Sequence, residues 1–204
     1  MKITNIKPQQ KRKDRFNIYA DEMFICGLSE NTIIDRDLTV GQEINQKEID
    51  KLVEKDQSSK AMDKAIRFLG YRARTEKEVY DKLKEKEFDE KVIQKTIIKL
   101  KKMGYLSDKK FIESWVKDRI NTKPEGKKLL QIELRQKGID ENQAKKQVDK
   151  LINEKTEILM AQKAFKKASK QYNKLSDREK RQKITAYLAR RGFDWQLIKN
   201  LLDQ

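Results

Sequence analysis

The amino-acid sequence indicates a mainly α-helical protein: three tandem three-helix repeats in an elongated, curved array, preceded by a small β-rich N-terminal segment. Of its 204 residues, 36% are hydrophobic and 40% are charged, so small stacked helical units suit the composition better than one thick core. Two prolines and seven glycines are too few for a turn-rich β-sandwich of this length. A heptapeptide with a leading leucine and a trailing aspartate also recurs three times, which is typical of a repeat array.

The β-rich segment covers residues 1–44. At residues 15–19, apolar and polar side chains alternate with the period of a half-buried strand. Residues 23–26 form a second apolar run, and weaker strand patterns occur at residues 3–6 and 38–40. Because so small a sheet is marginal in water by itself, we expect it to pack against helices.

A connecting helix is predicted within residues 45–60. Asn45 is a typical N-cap residue, and Glu48 three positions later completes a capping box. The apolar spacing that follows predicts a helix over residues 46–57, ending near the two serines at 58 and 59.

The heptapeptides define the predicted repeats over residues 61–110, 111–157 and 158–204. The copies occupy residues 83–89, 134–140 and 188–194. Gly138 and Gly192 can adopt the left-handed conformation that closes a helix, whereas Glu87 occupies that position in the first copy. The aspartate that ends each copy is predicted to cap the next helix: Asp89, Asp140 and Asp194.

Further capping signals mark the other helices. Thr75 with Glu78 and Ser176 with Glu179 have the spacing of capping boxes. Ser107 precedes another predicted helix as its N-cap. For the middle helix of the second repeat two starts remain open, since either Thr122 or Gly126 could cap it.

The net charge of +16 suggests a polyanionic partner, although a solvated lysine-rich surface accounts for it equally well. Residues 1–60 carry 11 basic and 11 acidic side chains, while residues 61–110 carry 15 and 9. The numbers are 10 and 8 for residues 111–154, and 13 and 5 for residues 155–204. The positive excess is therefore assigned to the helical body.

Missing residue types exclude several classes of site. A chain without histidine has no Ser-His-Asp triad and no histidine-metal site. Cys26 is the single cysteine and cannot form an intramolecular disulfide, which fits a reducing compartment. No apolar run approaches the roughly 20 residues of a membrane span, and the first residues do not resemble a secretory signal. We expect a cytoplasmic protein without a cofactor, a bound metal or a membrane partner.

Three blocks resemble the RecX family, bacterial regulators of the RecA recombinase. They are RARTEKEV at residues 72–79, GYLSDKKFIESWVKDR at 104–119 and GKKLLQIELRQKGI at 126–139. The first is similar to the family pattern R-x-R-[ST]-x-x-E-L and the third to G-x-x-x-I-x-x-E-L-x-x-K-G-I. Pro124 stands before Gly126 rather than after it, and Glu87 replaces the usual glycine.

The resemblance covers residues 61–154 closely, and the last fifty residues match mainly through the repeat. The neutral N-terminal segment is similar to the extension of Gram-positive members. Membership would imply a non-enzymatic protein that binds the RecA–DNA filament and restrains strand exchange and coprotease activity.

Eight residues are candidate contacts to RecA or DNA: Arg72, Arg74, Tyr105, Arg119, Arg135, Lys137, Arg190 and Arg191. Arginine forks bind phosphates and carboxylates, but Arg119 could instead pair with a nearby acid. Tyr105 could stack on a base, whereas Trp115, one turn after an apolar neighbour, is expected in the core. The pairs Arg135 with Lys137 and Arg190 with Arg191 suggest one basic ridge shared by two repeats.

Two other functions compete with RecA regulation. A metal-dependent nuclease would need clustered carboxylates, and Glu133 is the one acid that merits attention here. A general basic DNA-binding protein without a recombinase partner needs only the charge. Whether the protein regulates RecA or is a general DNA-binding protein, we expect a monomer that binds single- and double-stranded DNA weakly and without sequence preference.

Overall fold

The computed structural model describes residues 1–203, and within them it has three strands and ten helices. The strands are β1 (Ile3–Pro8), β2 (Arg15–Ala20) and β3 (Met23–Ser29). The helices are α1 (Glu30–Ile34), α2 (Gln46–Gly70), α3 (Glu76–Lys84), α4 (Glu90–Lys102), α5 (Asp108–Thr122), α6 (Lys127–Gln136), α7 (Glu141–Leu151), α8 (Glu154–Gln171), α9 (Asp177–Arg190) and α10 (Trp195–Leu202). The predicted mainly helical fold with a small N-terminal sheet is confirmed.

Two compact units make up the chain. The first contains residues 1–72 and 79–105, and the second contains residues 73–78 and the chain from Leu106 onward. The first turn of α3 therefore belongs to the second unit, and the rest of that helix to the first.

In the first unit, the three strands form an antiparallel sheet in the order β1-β2-β3. The strands predicted at residues 3–6, 15–19 and 23–26 are thus confirmed. The strand predicted at residues 38–40 is wrong. There the chain turns through Gly41 at φ +95°, and only the single bridge between Lys2 and Glu43 extends the sheet. The apolar signal of the segment reflects burial of Leu38 in the core below the sheet.

Helix α2 is far longer than the sequence indicated. The Asn45–Glu48 capping box is confirmed, but the end predicted near residues 58 and 59 is wrong, since the helix continues to Gly70. Serine in a helix interior costs only about 0.5 kcal/mol relative to alanine. Ala61 and Ala65 are buried in the extended part of the helix, and this burial outweighs that cost.

A buried carboxylate ties α2 to the sheet. Asp56 is 1% exposed. It accepts hydrogen bonds from Arg15 Nη1 at 3.3 Å and from the Ser29 backbone N–H at 2.8 Å, and Lys60 Nζ lies 2.5 Å away. Burial raises the pKa of Asp56, but the hydrogen bonds from Lys60 and Ser29 outweigh burial and hold the pKa below its ordinary value. The carboxylate therefore stays charged and fixes two cations.

The second unit has one continuous apolar core that runs from α5 to α10. Its buried members include Phe111, Ile112, Leu130, Leu134, Val148, Leu188 and Ile198. Asp140 and Asp194 accept hydrogen bonds from the backbone N–H groups of Gln143 and Gln196, as predicted for N-caps. In the first unit Asp89 also stands at an N-cap position, but within residues 1–203 its side chain forms no capping hydrogen bond. That part of the prediction is wrong for the first copy.

Two hydrogen bonds at equivalent positions connect neighbouring repeats in the second unit. At the start of α3, Thr75 Oγ1 donates to the carbonyl oxygen of Lys137 at 2.7 Å. At the start of α6, the Gly126 N–H donates to the carbonyl oxygen of Arg191 at 2.8 Å. Gly126 is the N-cap of α6, which decides between the two predicted starts. In both contacts, the N-cap residue of one repeat's middle helix donates a hydrogen bond to the helix-closing turn of the next repeat.

Across residues 1–203, no helix is both long enough and apolar enough to cross a membrane.

Candidate functional site

Three of the eight candidate contact residues are partly buried in the second unit and are engaged with its own side chains: Arg119, Lys137 and Arg191. Arg119 is the clearest case, because its side chain is only 17% exposed. Its Nε atom lies 3.1 Å from Glu133 Oε2 and 3.2 Å from Glu125 Oε2. The guanidinium carbon lies 4.1 Å from the ring centre of Trp115. The alternative, in which Arg119 pairs with nearby acids, is the one observed.

Lys137 joins the same cluster. Its Nζ atom lies 4.6 Å from the ring centre of Trp115 and 3.4 Å from Glu78 Oε1. Trp115 also stacks on Phe111, with ring centres 5.6 Å apart. The Trp115 indole therefore contacts two cations, Arg119 and Lys137, whose charges are balanced by nearby carboxylates. These contacts stabilise the start of α6 and the turn that follows α6. Trp115 is thus part of the packed interior, as expected.

Glu133 explains why this cluster is structural. Its Oε2 atom accepts hydrogen bonds from both Trp115 Nε1 and Arg119 Nε, each at 3.1 Å. Both lone-pair directions of that oxygen are therefore used by protein donors. Among residues 1–203, no group of three potential ligands from His, Cys, Asp and Glu could hold a metal ion.

Arg191 repeats the role of Lys137 in the next heptapeptide. Its guanidinium carbon lies 4.7 Å from the ring centre of Tyr187, and its Nη1 atom donates to the carbonyl oxygen of Pro124 at 3.1 Å. In both copies the residue before the helix-closing glycine lays its cation over an aromatic ring. The surface part of the predicted ridge is therefore reduced to Arg135 and Arg190, which are exposed.

The remaining candidates vary in exposure. Arg72 is exposed, Arg74 is partly buried and Tyr105 is 55% exposed. Arg135 lies 3.3 Å from the Glu141 carboxylate in an exposed ion pair, which is worth little in stability. Arg72, Tyr105, Arg135 and Arg190 are thus the candidates whose side chains can reach a partner directly.

Arg190 lines an open groove of about 390 Å³ in the second unit. The groove also contains Trp195, which is 63% exposed, and Ile132, which is 48% exposed. Lys128 lies at the same groove and forms an ion pair with Asp194 at 3.1 Å. A tryptophan left in water beside an arginine is typical of a binding surface.

Trp195 is a groove residue that was not among the eight candidates, although the sequence contains a signal for it. Each heptapeptide ends in an aspartate, and the residue after it opens the next helix. Glu90 and Glu141 occupy that position in the first two copies, and Trp195 occupies it in the third. Since the first residue of the capped helix is exposed in all three copies, an aromatic residue at that position predicts an exposed ring.

Comparison with known protein families covers the four parts of the chain. The model described as "Regulatory protein RecX N-terminal domain" matches residues 1–45. Models of the first, second and third three-helix domains of RecX match residues 61–100, 107–146 and 156–202.

Relatives and solved structures agree with these matches. "Regulatory protein RecX" of Bacillus velezensis is 36% identical over 202 residues, 99% of this chain and 76% of the relative. The protein of the same name from Listeria welshimeri is 33% identical over 199 residues, 98% of this chain and 74% of the relative.

A "Crystal structure of regulatory protein RecX" superposes with a TM-score of 0.75 at 29% identity and covers 100% of this chain and 99% of that one. The "Crystal structure of RecX from Lactobacillus salivarius" gives a TM-score of 0.65 at 32% identity over 72% of this chain and 96% of that one. With four family models matched in order and relatives above 30% identity along nearly its whole length, this chain belongs to the RecX family of regulatory proteins.

Proposed function

We propose that this protein is a non-enzymatic, cytoplasmic regulator that binds the RecA–DNA filament as a monomer and mainly inhibits recombinase and coprotease activity. The observation that carries the proposal is the match of all four RecX regions, in order, over nearly the whole chain. Regulators of this kind act by occupying a surface, and such an action requires exposed side chains of the right chemistry rather than a catalytic centre.

The groove of Arg190 and Trp195 has that chemistry. Tryptophan and arginine are enriched among the residues that dominate the energetics of protein interfaces. Tryptophan supplies a large, rigid contact area at low cost in conformational entropy, and arginine supplies a planar fork of hydrogen-bond donors. Two basic side chains, Lys128 and Arg190, flank the apolar floor and suit an acidic edge on a RecA subunit. The exposed residues Arg72, Tyr105 and Arg135 are proposed as further contacts.

Weak binding to single- and double-stranded DNA is part of the proposal. The net charge of +16 favours any polyanion, and each phosphate that is neutralised releases counterions. Binding should therefore lack sequence preference and should weaken steeply as salt rises. Contacts to several filament subunits and to DNA add up through effective concentration, so regulation is expected well below one molecule per RecA monomer.

The test is RecA-driven strand exchange and DNA-dependent ATP hydrolysis, each with and without the purified protein. We expect both reactions to slow at substoichiometric protein, together with co-sedimentation on the filament. The rival function, a general basic DNA-binding protein, predicts competition for bare DNA alone. Unchanged rates at equimolar protein, with no filament binding, would favour the rival.

A further inference from the structure

The first unit contains a cavity that is lined mostly by charged side chains. It has a volume of about 560 Å³ and lies among the β1–β2 loop, the second half of α2 and the turn between α3 and α4. Six of its lining residues are cationic: Arg12, Arg15, Lys60, Lys64, Arg67 and Lys86. Three are acidic: Asp14, Glu30 and Asp63. The wall therefore carries a clear excess of positive charge.

The continuous α2 helix creates this concentration of charge. Lys60, Lys64 and Arg67 are spaced i, i+4 and i+7, so they share one face of the helix. A break near residue 58 would separate Lys60 from Lys64 and Arg67. Because α2 continues, this face borders the same cavity as Arg12 of the β1–β2 loop and Arg15 of β2.

The cations of the cavity differ in how they are held. Arg15 and Lys60 are fixed at its base by the buried Asp56 carboxylate, and Arg15 Nη2 also donates to the Gly27 carbonyl oxygen at 2.6 Å. Lys64 and Arg67 are exposed, and within residues 1–203 neither forms an ion pair with a carboxylate. Two cations held in place, Arg15 and Lys60, together with two exposed cations that have no carboxylate partner in the described part of the chain favour the binding of a multivalent anion.

The length of the basic face limits the ligand. Lys60 and Arg67 are separated by about 10 Å along the helix axis. A strand that keeps the base stacking of a duplex carries one phosphate per roughly 3.4 Å of helix axis, so the face matches about three stacked nucleotides. Phe88, which is partly buried, lines the same cavity, and an aromatic ring can stack only on a base that is not paired.

We propose that this basic cavity of the first unit binds the phosphate backbone of a single nucleic acid strand, with Phe88 in contact with an unpaired base. This site rests on the DNA binding proposed above, to which it assigns a location, and it does not depend on RecA. Lys64 and Arg67 contact phosphates directly. Asp56 is a positioning residue, because it acts through Arg15 and Lys60.

The experiment measures binding of the full chain to a fluorescein-labelled oligothymidylate by anisotropy over a salt series. The test variant is Lys64→Glu with Arg67→Glu. The matched control is Lys47→Glu with Lys51→Glu, which makes the same charge change at exposed positions of the same helix outside the cavity. Circular dichroism and thermal unfolding verify that both variants fold.

For the test variant we expect at least about tenfold weaker binding and a log–log salt slope that is smaller by about 0.7 for each lost phosphate contact. The control should bind within about threefold of the unmodified protein. Equal weakening in both variants would overturn the proposal, because it would indicate attraction by overall charge alone.

Two competition measurements distinguish binding of a single strand from binding of other phosphate-containing ligands. Duplex DNA of the same length and inorganic tripolyphosphate serve as competitors, compared at equal phosphate concentration. We expect the unlabelled single strand to compete best, and Phe88→Leu to weaken binding to the single strand about fivefold without changing displacement by tripolyphosphate. Equal competition by all three ligands, with no effect of Phe88→Leu, would overturn the single-strand assignment.

Discussion

The helix-closing turn of the heptapeptide occurs three times, and the first copy differs from the other two. Gly138 and Gly192 adopt φ values of +86° and +77°, and Glu87 adopts +59° in the same position. A Cβ atom on Gly192 would lie 2.4 Å from the Leu129 backbone nitrogen, and one on Gly138 would lie 2.4 Å from Lys77 Cβ. Glu87 already has a Cβ atom and is exposed.

This difference shows that two factors require glycine at positions 138 and 192: the positive φ and the close approach of a neighbouring repeat. Each of them lies against the start of the preceding repeat's middle helix, at Leu129 or at Lys77. The first three-helix repeat has no such repeat before it, so its turn needs only the left-handed conformation. That conformation costs a non-glycine residue about 1–2 kcal/mol, and the chain tolerates this cost at Glu87.

Replacement of Gly192 by alanine should have the largest effect. The added methyl group meets backbone atoms of Leu129, which cannot rotate away, and the positive φ is strained as well. We expect a loss of about 2–5 kcal/mol in the free energy of unfolding, measured by urea denaturation.

Gly104 is the matched control for that variant. It has nearly the same φ, +76°, with nothing within 4 Å of the position that an added methyl group would occupy. Gly104→Ala should therefore lose only the backbone cost of about 1–2 kcal/mol. Equal losses in the two variants would mean that contact with the neighbouring repeat contributes nothing.

The caps provide a second, smaller test of the difference between copies. Asp140 accepts a hydrogen bond from the Gln143 N–H at 3.0 Å, whereas the Asp89 side chain makes no such bond within residues 1–203. Asp140→Ala should lower the free energy of unfolding by about 1 kcal/mol. Asp89→Ala should change it by less than half as much, and a loss at position 89 as large as at 140 would contradict the assigned geometry.

The smallest expected effect is a gain in stability. Glu87→Gly removes the strain of a positive φ but adds conformational freedom to the unfolded chain, which costs about 0.4–1 kcal/mol. A net gain of about 0.5 kcal/mol is expected in the same urea experiment. Glu87→Ala serves as the control, because alanine keeps the strain. If the glycine variant is no more stable than the alanine variant, the φ at this position carries no cost.

Local signals explain which parts of the fold were predictable from the sequence. The capping boxes at Asn45 and Thr75, and the glycines after the repeat leucines, depend on residues three or four positions apart. The end of α2 did not follow from local signals, because Ala61 and Ala65 hold the helix by tertiary burial. Helix propensity alone does not carry that information.

The candidate site was less predictable for a similar reason. Whether a cation is exposed depends on partners distant in sequence. Glu133 lies 14 positions from Arg119, and Pro124 lies 67 positions from Arg191. No residue spacing indicates such pairs. Counting charge by segment also did not reveal the basic cavity of the first unit, because its cations come from two different segments, residues 1–60 and residues 61–110, which the fold brings together.

The third repeat contains two kinds of arginine. In our proposal the exposed Arg190 contacts RecA from the groove, whereas Arg191 lies over the Tyr187 ring and donates a hydrogen bond to Pro124 of the preceding repeat. Trp195→Ala combined with Arg190→Glu changes only exposed side chains, so the variant should fold with an unchanged thermal unfolding midpoint. Arg178→Glu is the control, since it makes the same charge change in the exposed first turn of the same helix as Arg190.

The most direct measurement is RecA-driven strand exchange titrated with the unmodified protein, the groove variant and the Arg178→Glu control. We expect the groove variant to need at least about tenfold more protein for half-inhibition, consistent with the loss of two interface anchors. The control should match the unmodified protein. Full inhibition by the groove variant at the unmodified protein's concentration would contradict the proposed role of the groove.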